Sequence, residues 1–399
     1  MTKDEFFNKI SDNLPIERES DDFIKDINKV YHDYITDISN LDADAFSDEN
    51  CKTTVIQKTK KHVSVINEAL KQYFGGCHGE AFSTIKTHLL NRDDTIGLKQ
   101  IGIGKTKETN MFFFRARMND GTIKTCDDMF HIPNTQREII KTQRFSVPGY
   151  PCLYLGNTVY DCWEEMGRPS FDEMFFSGYY VVKEFKVYDL RKPKIEDFEK
   201  DIIVETLERL VFVIACQFKV KYVDAPFKPE YIIPQLLLEL VVASNREKKK
   251  REKSPYALTW GIIYTSTHLS KDFMYQEEYL ENLVLPVVQS STAIQYCGYL
   301  ASLFNVSAPI CFRYEELKER QTGLSWKPMV MDEKEKIKNE YDLTKLGFIE
   351  RRLRENTVYT QLAYVIIDGP DGVSLIDENG VKTNREIELE VEFNPNSCY

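Results

Sequence analysis

Apolar residues recur three or four positions apart through the first part of the chain, which is the spacing of one face of an α-helix. The positions are Phe6, Phe7, Ile10, Leu14, Ile24, Ile27, Val30, Tyr31, Val63, Ile66, Leu70 and Tyr73. An acidic connector at 42–50 and the pair Gly75-Gly76 interrupt the pattern. The spacing predicts a helical N-terminal extension over residues 1–105. Because this extension holds no cluster of catalytic residue types, we expect it to act as a helical scaffold or cap.

Short runs of apolar and aromatic residues, typical of β-strands, follow further along the chain. Strands are predicted at 111–118, 152–155, 179–190, 260–266, 282–288 and 363–368. Helices are predicted at 159–167, 202–218 and 232–244, and the mixed charge run at 246–253 is predicted to be a solvated loop. This mixture predicts an α+β fold, with a mixed β-sheet in a core domain at 106–310 and a mixed C-terminal extension at 311–399.

Net charge and cysteine usage narrow the class of protein. The 399 residues carry a formal net charge of −11 at pH 7, which makes nucleic acid an unfavourable partner because phosphate contacts need a net basic surface. No apolar run approaches the ~20 residues that cross a bilayer, and the acidic N-terminus is unlike a signal peptide. Nine scattered cysteines without a CxxC pair predict reduced thiols and no metal site. We therefore expect a cytoplasmic protein without a membrane partner.

The sequence lacks the GxGxxG, Walker A, HExxH and GxSxG motifs. The residues that indicate a candidate site are instead arginines at the ends of predicted strands. A guanidinium can bind a pyrophosphate through two hydrogen bonds, and a tyrosine ring can stack on a flat heterocycle. A carboxylate can stabilise positive charge on a ribose whose glycosidic bond is breaking. The residues of these types are Arg115, Arg117, Arg144, Tyr154, Glu164, Glu165, Tyr264 and Ser266. Together they suit a dinucleotide that loses its nicotinamide.

The order of these motifs along the chain and the residues within them resemble the RES-domain family, which is named for its arginine, glutamate and serine. The resemblance extends over about 112–288, and the segments that carry it are 114–117 (FRAR), 144–156 (RFSVPGYPCLYLG), 162–165 (CWEE), 263–266 (IYTS) and 282–285 (NLVL). Known members include toxins of bacterial toxin–antitoxin pairs that destroy NAD, with a fold like that of ADP-ribosyltransferases. Residues 1–100 and 310–399 resemble nothing in the short toxins, so the chain looks like a long form of the family.

The resemblance also implies a set of site residues. The implied catalytic residues are Glu165, Arg144 and Ser266, and the implied substrate-binding residues are Arg115, Arg117, Tyr154 and Tyr264.

The family's glutamate falls on one of two adjacent residues. The apolar stripe of the predicted helix consists of Val159, Cys162, Trp163 and Met166. At ~100° per residue, Glu164 lies nearly opposite this stripe and Glu165 lies on its flank. A residue that reaches a buried pocket should be the flanking one, and the family spacing also favours Glu165. Glu164 stays the alternative and is expected to face solvent.

These observations predict an enzyme that cleaves the N-glycosidic bond of NAD⁺ and releases nicotinamide, as a toxin-like NAD glycohydrolase or phosphorylase. NAD⁺ is the substrate, no cofactor or metal is expected, and an antitoxin or regulatory protein is the expected protein partner. Two alternatives stay open: an ADP-ribosyltransferase that modifies a macromolecule, and a non-catalytic nucleotide-binding interaction protein. We expect the residues of the site to converge on one cleft. The residues concerned are Arg115, Arg144, Tyr154, Glu165 and Ser266.

Overall fold

The computed structural model describes residues 1–90, 97–104, 111–119, 121–199, 202–251, 258–268, 280–288, 295–312, 341, 344–355, 357–362, 366–367, 373–376 and 382–383. In chain order the helices are α1 (Lys3–Asn13), α2 (Phe23–Asn40), α3 (Glu49–Phe74), α4 (His78–Leu89), α5 (Val159–Glu165), α6 (Ile203–Cys216), α7 (Ile232–Arg251), α8 (Gly298–Ala301) and α9 (Lys345–Glu355). The strands are β1 (Gln100–Ile103), β2 (Phe112–Met118), β3 (Cys152–Gly156), β4 (Met174–Val181), β5 (Phe185–Leu190), β6 (Thr259–Thr265), β7 (Glu281–Pro286), β8 (Phe304–Ser307), β9 (Tyr359–Gln361), β10 (Ile366–Ile367), β11 (Val373–Ile376) and β12 (Lys382–Thr383).

The chain forms two compact units, and the first contains residues 1–101, 141–149 and 186–267. Helices α1, α2 and α3 each begin at a side chain that accepts a backbone N–H of the first turn, supplied by Thr2, Asp22 and Asp48. The apolar face of α2 packs on α6, where the buried hydroxyls of Tyr31 and Tyr34 donate to backbone carbonyls at 2.9 and 2.6 Å. Strands β5 and β6 pair in parallel. Helices α1 to α4 lie where the apolar spacing predicts helix, whereas Gln100–Ile103, inside the predicted helical extension, forms strand β1.

The second unit contains residues 102–140, 150–185 and 268–399. Its main sheet has the strand order β7-β3-β2-β4-β8-β9, and each neighbouring pair is antiparallel. Phe114 of β2 and Phe176 of β4 pack with α5 and α9 in one apolar core on one face of this sheet. A smaller sheet joins β10, β11 and β12 in antiparallel pairs. With the parallel pair in the first unit, these elements confirm an α+β fold.

Two predicted elements differ from the structure. The strand predicted at 179–190 is two strands, β4 and β5, because the polar residues Lys183 and Glu184 break the run of buried positions between them. The loop predicted at 246–253 is helical as far as Arg251, since α7 continues through the Lys, Arg and Glu residues that favour helix. Residues 252 and 253 lie outside the described residues. Of the strand predicted at 363–368, Ile366–Ile367 form β10 and the other positions are outside the described residues.

The compact units are discontinuous in sequence, whereas the predicted division into 1–105, 106–310 and 311–399 is continuous. That division stays a prediction. Among the helices that the structure describes, none combines the length and the apolar composition that a membrane crossing requires.

Candidate functional site

Helix α5 places Glu165 at its last position. Thr158 caps the helix, because its hydroxyl accepts the Asp161 N–H at 3.0 Å. The helix lies close against β3, since a Cβ added at Gly156 would meet the Cys162 sulfur at 2.9 Å. Glycine at 156 therefore permits the close approach of the helix that carries Glu165. The helix ends two residues before the predicted boundary, and Gly167 follows with a φ of +81°.

The Glu165 carboxylate lies between two polar side chains of the second unit. Its Oε1 accepts a hydrogen bond of 2.7 Å from the Asn282 side-chain amide on β7, and its Oε2 lies 3.6 Å from Nε2 of His268. Asn282 is 5% exposed, whereas the side chains of Glu165 and His268 are 32% and 42% exposed. A buried amide thus orients a carboxylate that solvent, or a ligand from solvent, can reach.

Glu164 occupies a different environment from the one expected. It was expected to face solvent, but its side chain is 5% exposed and its Oε2 accepts a hydrogen bond of 2.9 Å from Nε of Arg168. The expectation was wrong because Val159, Cys162 and their neighbours on α5 are buried around almost the whole helix, whereas Met166 lies beyond its end and is 40% exposed. Glu164 is thus a buried member of an ion pair, and Glu165, which was expected to reach a buried pocket, is the accessible carboxylate.

The predicted substrate-binding residues of the second unit lie on two faces of its sheet. Cross-strand partners share a face, and the pairs Gly156–Asn282 and Tyr154–Val284 place Tyr154 on the same face as Asn282. Phe114 packs with α5, so its neighbour Arg115, and Arg117 two positions further, lie on the opposite face.

On that opposite face, Arg115 and Arg117 are bound by backbone carbonyls. Arg115 Nη1 donates to the Tyr154 carbonyl at 3.2 Å, and Arg117 Nη1 donates to the Asp128 carbonyl. Burial lowers the pKa of the Arg115 guanidinium, and within the described part of the chain no acceptor contacts its buried Nε. The structure thus brings Tyr154 to the face of Glu165 and separates Arg115 and Arg117 from it.

The remaining predicted residues form a second group in the first unit. Arg144 is buried, and its Nη1 donates to the carbonyls of Cys216 and Phe218 at 3.2 and 2.9 Å. Its Nη2 donates to the Thr267 hydroxyl at 2.5 Å, and its guanidinium lies 5.1 Å from the centre of the Tyr231 ring. Arg144 thereby ties the end of α6 to the chain that leaves β6.

Ser266 and Tyr264 are buried in the same region as Arg144. Tyr264 lies on β6 with its ring centre 4.5 Å from that of Phe145, and Ser266 follows the strand, next to Thr267. Whether the residues of the two units converge on one substrate stays a prediction.

Sequence reasoning missed three residues of these groups: Asn282, His268 and Thr267. Their sequence signal is weak but present, because each lies at the edge of a buried strand, in Tyr264-Thr-Ser-Thr-His268 and Glu281-Asn282. The pairing of strands in the folded sheet determines which residues these polar side chains contact, and the spacing of residues in the sequence does not show it. Among the residues that the structure describes, no cluster of three or more His, Cys, Asp or Glu side chains is arranged to hold a metal ion.

Fold and site together define an α+β protein with an oriented, accessible carboxylate at a helix end. The chain is 30% identical over 355 residues to a protein of Bacillus subtilis (strain 168) named "Putative toxin YopC", and the aligned region covers 84% of this chain and 77% of that protein. The chain belongs to the YopC family. No family model matches the chain, and no solved structure matches it.

Proposed function

We propose that this protein is a toxin that consumes NAD⁺ by cleaving the bond between nicotinamide and ribose. The name of the YopC relative supports the toxin part of the proposal. The RES-like segments at 114–117, 144–156, 162–165 and 263–266 support the NAD⁺ part. The proposal includes membership of the RES family for the segment at 112–288.

The environment of Glu165 carries the proposal. A carboxylate that stabilises an oxocarbenium-like cation must be ionised, fixed in direction and open to the substrate. The 2.7 Å hydrogen bond from Asn282 fixes Oε1, and the exposed side of Glu165 stays open to a ligand. His268, at 3.6 Å from Oε2, is a second group that can contact the reacting ribose or water.

The proposed reaction needs little further assistance from the protein. The nicotinamide of NAD⁺ is a cationic leaving group, so the C1′–N bond breaks with its electron pair moving to the ring nitrogen. The ribose then carries positive charge, which the Glu165 carboxylate stabilises, and water or phosphate forms the new bond to C1′. With water, the released proton passes to solvent or to His268. In this proposal Tyr154 lines the nicotinamide-ribose region, because it shares the sheet face of Asn282.

The test is nicotinamide release from NAD⁺ by the purified full chain and by Glu165→Gln. The amide keeps the size of the side chain and an acceptor for Asn282 but removes the charge. The loss of one preorganised electrostatic group should lower kcat by ~10²–10³ and leave KM nearly unchanged. Glu355→Gln, at an exposed position on α9, is the matched control and should match wild type.

The products and the cells give the remaining evidence. Free ADP-ribose indicates hydrolysis, a phosphorylated ADP-ribose indicates phosphorolysis, and label transferred to a macromolecule indicates ADP-ribosyl transfer. Expression of the wild-type chain should lower cellular NAD⁺ and arrest growth, and Glu165→Gln should do neither. Wild-type protein that releases no nicotinamide, or Glu165→Gln with full activity, would contradict the proposal.

A further inference from the structure

The helix that carries Glu165 is only seven residues long, so its internal hydrogen bonds are few and its first N–H groups need acceptors from elsewhere. Thr158 binds the N–H of Asp161, which leaves the N–H groups of Val159 and Tyr160. Both are bound by side chains from the C-terminal part of the chain. The Val159 N–H donates to Oε2 of Glu350 at 3.0 Å, across 191 positions of sequence.

Tyr341 completes this contact between the C-terminal part of the chain and α5. Its hydroxyl donates to Oε2 of Glu350 at 2.8 Å and accepts the Tyr160 N–H at 3.3 Å. The first two N–H groups of the helix are therefore both satisfied by one buried carboxylate–hydroxyl pair. The negative charge of the carboxylate also complements the positive end of the helix.

The position of the Glu350 carboxylate is itself fixed. Arg354 donates two hydrogen bonds to its Oε1, from Nε at 3.1 Å and from Nη2 at 2.9 Å. The Arg354 guanidinium lies over the rings of Phe112 and Phe114 on β2, at 5.2 and 4.9 Å from their centres. Paired hydrogen bonds and ring contacts together leave Glu350 little freedom to move.

Apolar packing extends the contact beyond the hydrogen bonds. Ile349 and Leu353 of α9 are fully buried in the same core cluster as Val159 and Cys162 of α5. The residue that ends α5 is Glu165, so whatever fixes the start and the axis of the helix also fixes the origin of that side chain. Seven residues span only about 10 Å, and a shift at Val159 reaches Glu165 directly.

We propose that Glu350 is a positioning residue for Glu165, and that Tyr341 and α9 are an integral part of the reactive unit. The role of Glu350 in catalysis rests on the proposed function. Its role in fixing α5 does not. The segment predicted as a C-terminal extension therefore supplies the acceptor that begins the Glu165 helix.

The experiment compares Glu350→Ala, Glu350→Gln and Tyr341→Phe with wild type in the full chain. The two measurements are nicotinamide release and hydrogen exchange of the backbone amides at 157–166. In Glu350→Ala we expect kcat to fall ~10-fold with KM within twofold, and the amides at 157–166 to exchange at least ~10-fold faster. Glu350→Gln keeps an oxygen that can accept the Val159 N–H. Its kcat and its rate of amide exchange at 157–166 should therefore lie between those of Glu350→Ala and wild type. Tyr341→Phe removes one hydroxyl from the pair and provides a milder change if Glu350→Ala fails to fold.

Two controls separate positioning from stability. Glu355→Gln, on the same helix but exposed, should match wild type in both measurements. Ile66→Ala removes buried volume from α3 of the first unit, and at a temperature where the variant is folded it should keep its kcat. An Ile66→Ala variant that loses kcat as much as Glu350→Ala would overturn the positioning role.

The outcome is separable from that of the proposed function. If wild type releases no nicotinamide, the proposed function fails, and the exchange measurement alone decides whether Glu350 fixes α5. Unchanged exchange at 157–166 in both Glu350→Ala and Tyr341→Phe overturns the inference. Faster exchange confined to this segment supports it.

Discussion

Removing the Asn282 amide is the sharpest test of how the Glu165 carboxylate is held. The Asn282 Nδ2 to Glu165 Oε1 distance is 2.7 Å, which is typical of a hydrogen bond to a charged acceptor. Asn282→Ala deletes the donor and leaves the strand backbone unchanged. The carboxylate then keeps its charge but loses the group that fixes the direction of Oε1.

The expected magnitude follows from the exposure of the two partners. A hydrogen bond to a charged group contributes about 1.5–3 kcal/mol when nothing replaces it. The Glu165 side chain is 32% exposed, so water can replace part of the lost interaction. We therefore expect a loss of about 1–2 kcal/mol in transition-state stabilisation, which corresponds to a ~5–30-fold lower kcat.

Asn282→Asp tests the same contact through charge. It places a second carboxylate beside Glu165, and two such groups repel each other when both are ionised. Protonation of the pair relieves the repulsion, so the acid-side loss of nicotinamide release should begin at a higher pH in Asn282→Asp than in wild type.

Steady-state nicotinamide release at saturating NAD⁺ measures both variants, and circular dichroism checks that they fold. Asn119→Ala, at an exposed turn of the same unit, is the control and should keep full activity. A folded Asn282→Ala protein with wild-type kcat would show that Asn282 does not orient a catalytic carboxylate.

Three further predictions concern stability. Glu164→Gln should lower the free energy of unfolding by about 1 kcal/mol, because it removes the charge of a buried carboxylate that is paired with a half-exposed arginine. The variant should leave kcat nearly unchanged. A kcat loss as large as that of Glu165→Gln would move the catalytic role to Glu164. Arg144→Ala should cost at least about 2 kcal/mol in urea denaturation, because it leaves two backbone carbonyls without their donor, and an unchanged midpoint would contradict this. Burial lowers the pKa of His131 to about 4 from 6.5, so at pH 5 the folded histidine stays neutral whereas the unfolded one takes up a proton. This residue should therefore make the protein about 2 kcal/mol less stable at pH 5 than at pH 7. His131→Gln should remove that part of the pH dependence of the free energy of unfolding.

Local periodicity was sufficient to predict much of the fold. The apolar spacing of Phe6, Ile27 and Ile66 identified the N-terminal helices, and the aromatic runs identified β2 and β6, because these patterns depend on neighbours within a few positions. The break between β4 and β5 was missed because the residues on both sides of Val182, Lys183 and Glu184 have the pattern of a single strand. The three residues themselves are too few to indicate a break from sequence alone.

The candidate site was only partly accessible to sequence reasoning. The choice of Glu165 rested on a helical stripe and on the spacing of the resembled family, and the same stripe placed Glu164 wrongly in solvent. A helix of seven residues packed against α9 is buried on most sides, and α9 comes almost two hundred positions later in the chain. His268 and Asn282 were missed for the same reason, since they contact Glu165 only across the folded sheet.

The long sequence interval between α5 and its partner also affects biosynthesis. Val159 leaves the ribosome 191 residues before Glu350, which at 5–20 residues per second is ~10–40 s. During that interval the nascent chain holds Glu165 on a helix whose first two N–H groups lack their acceptors. The order of synthesis therefore delays completion of the Glu165 helix until Glu350 has been added to the growing chain.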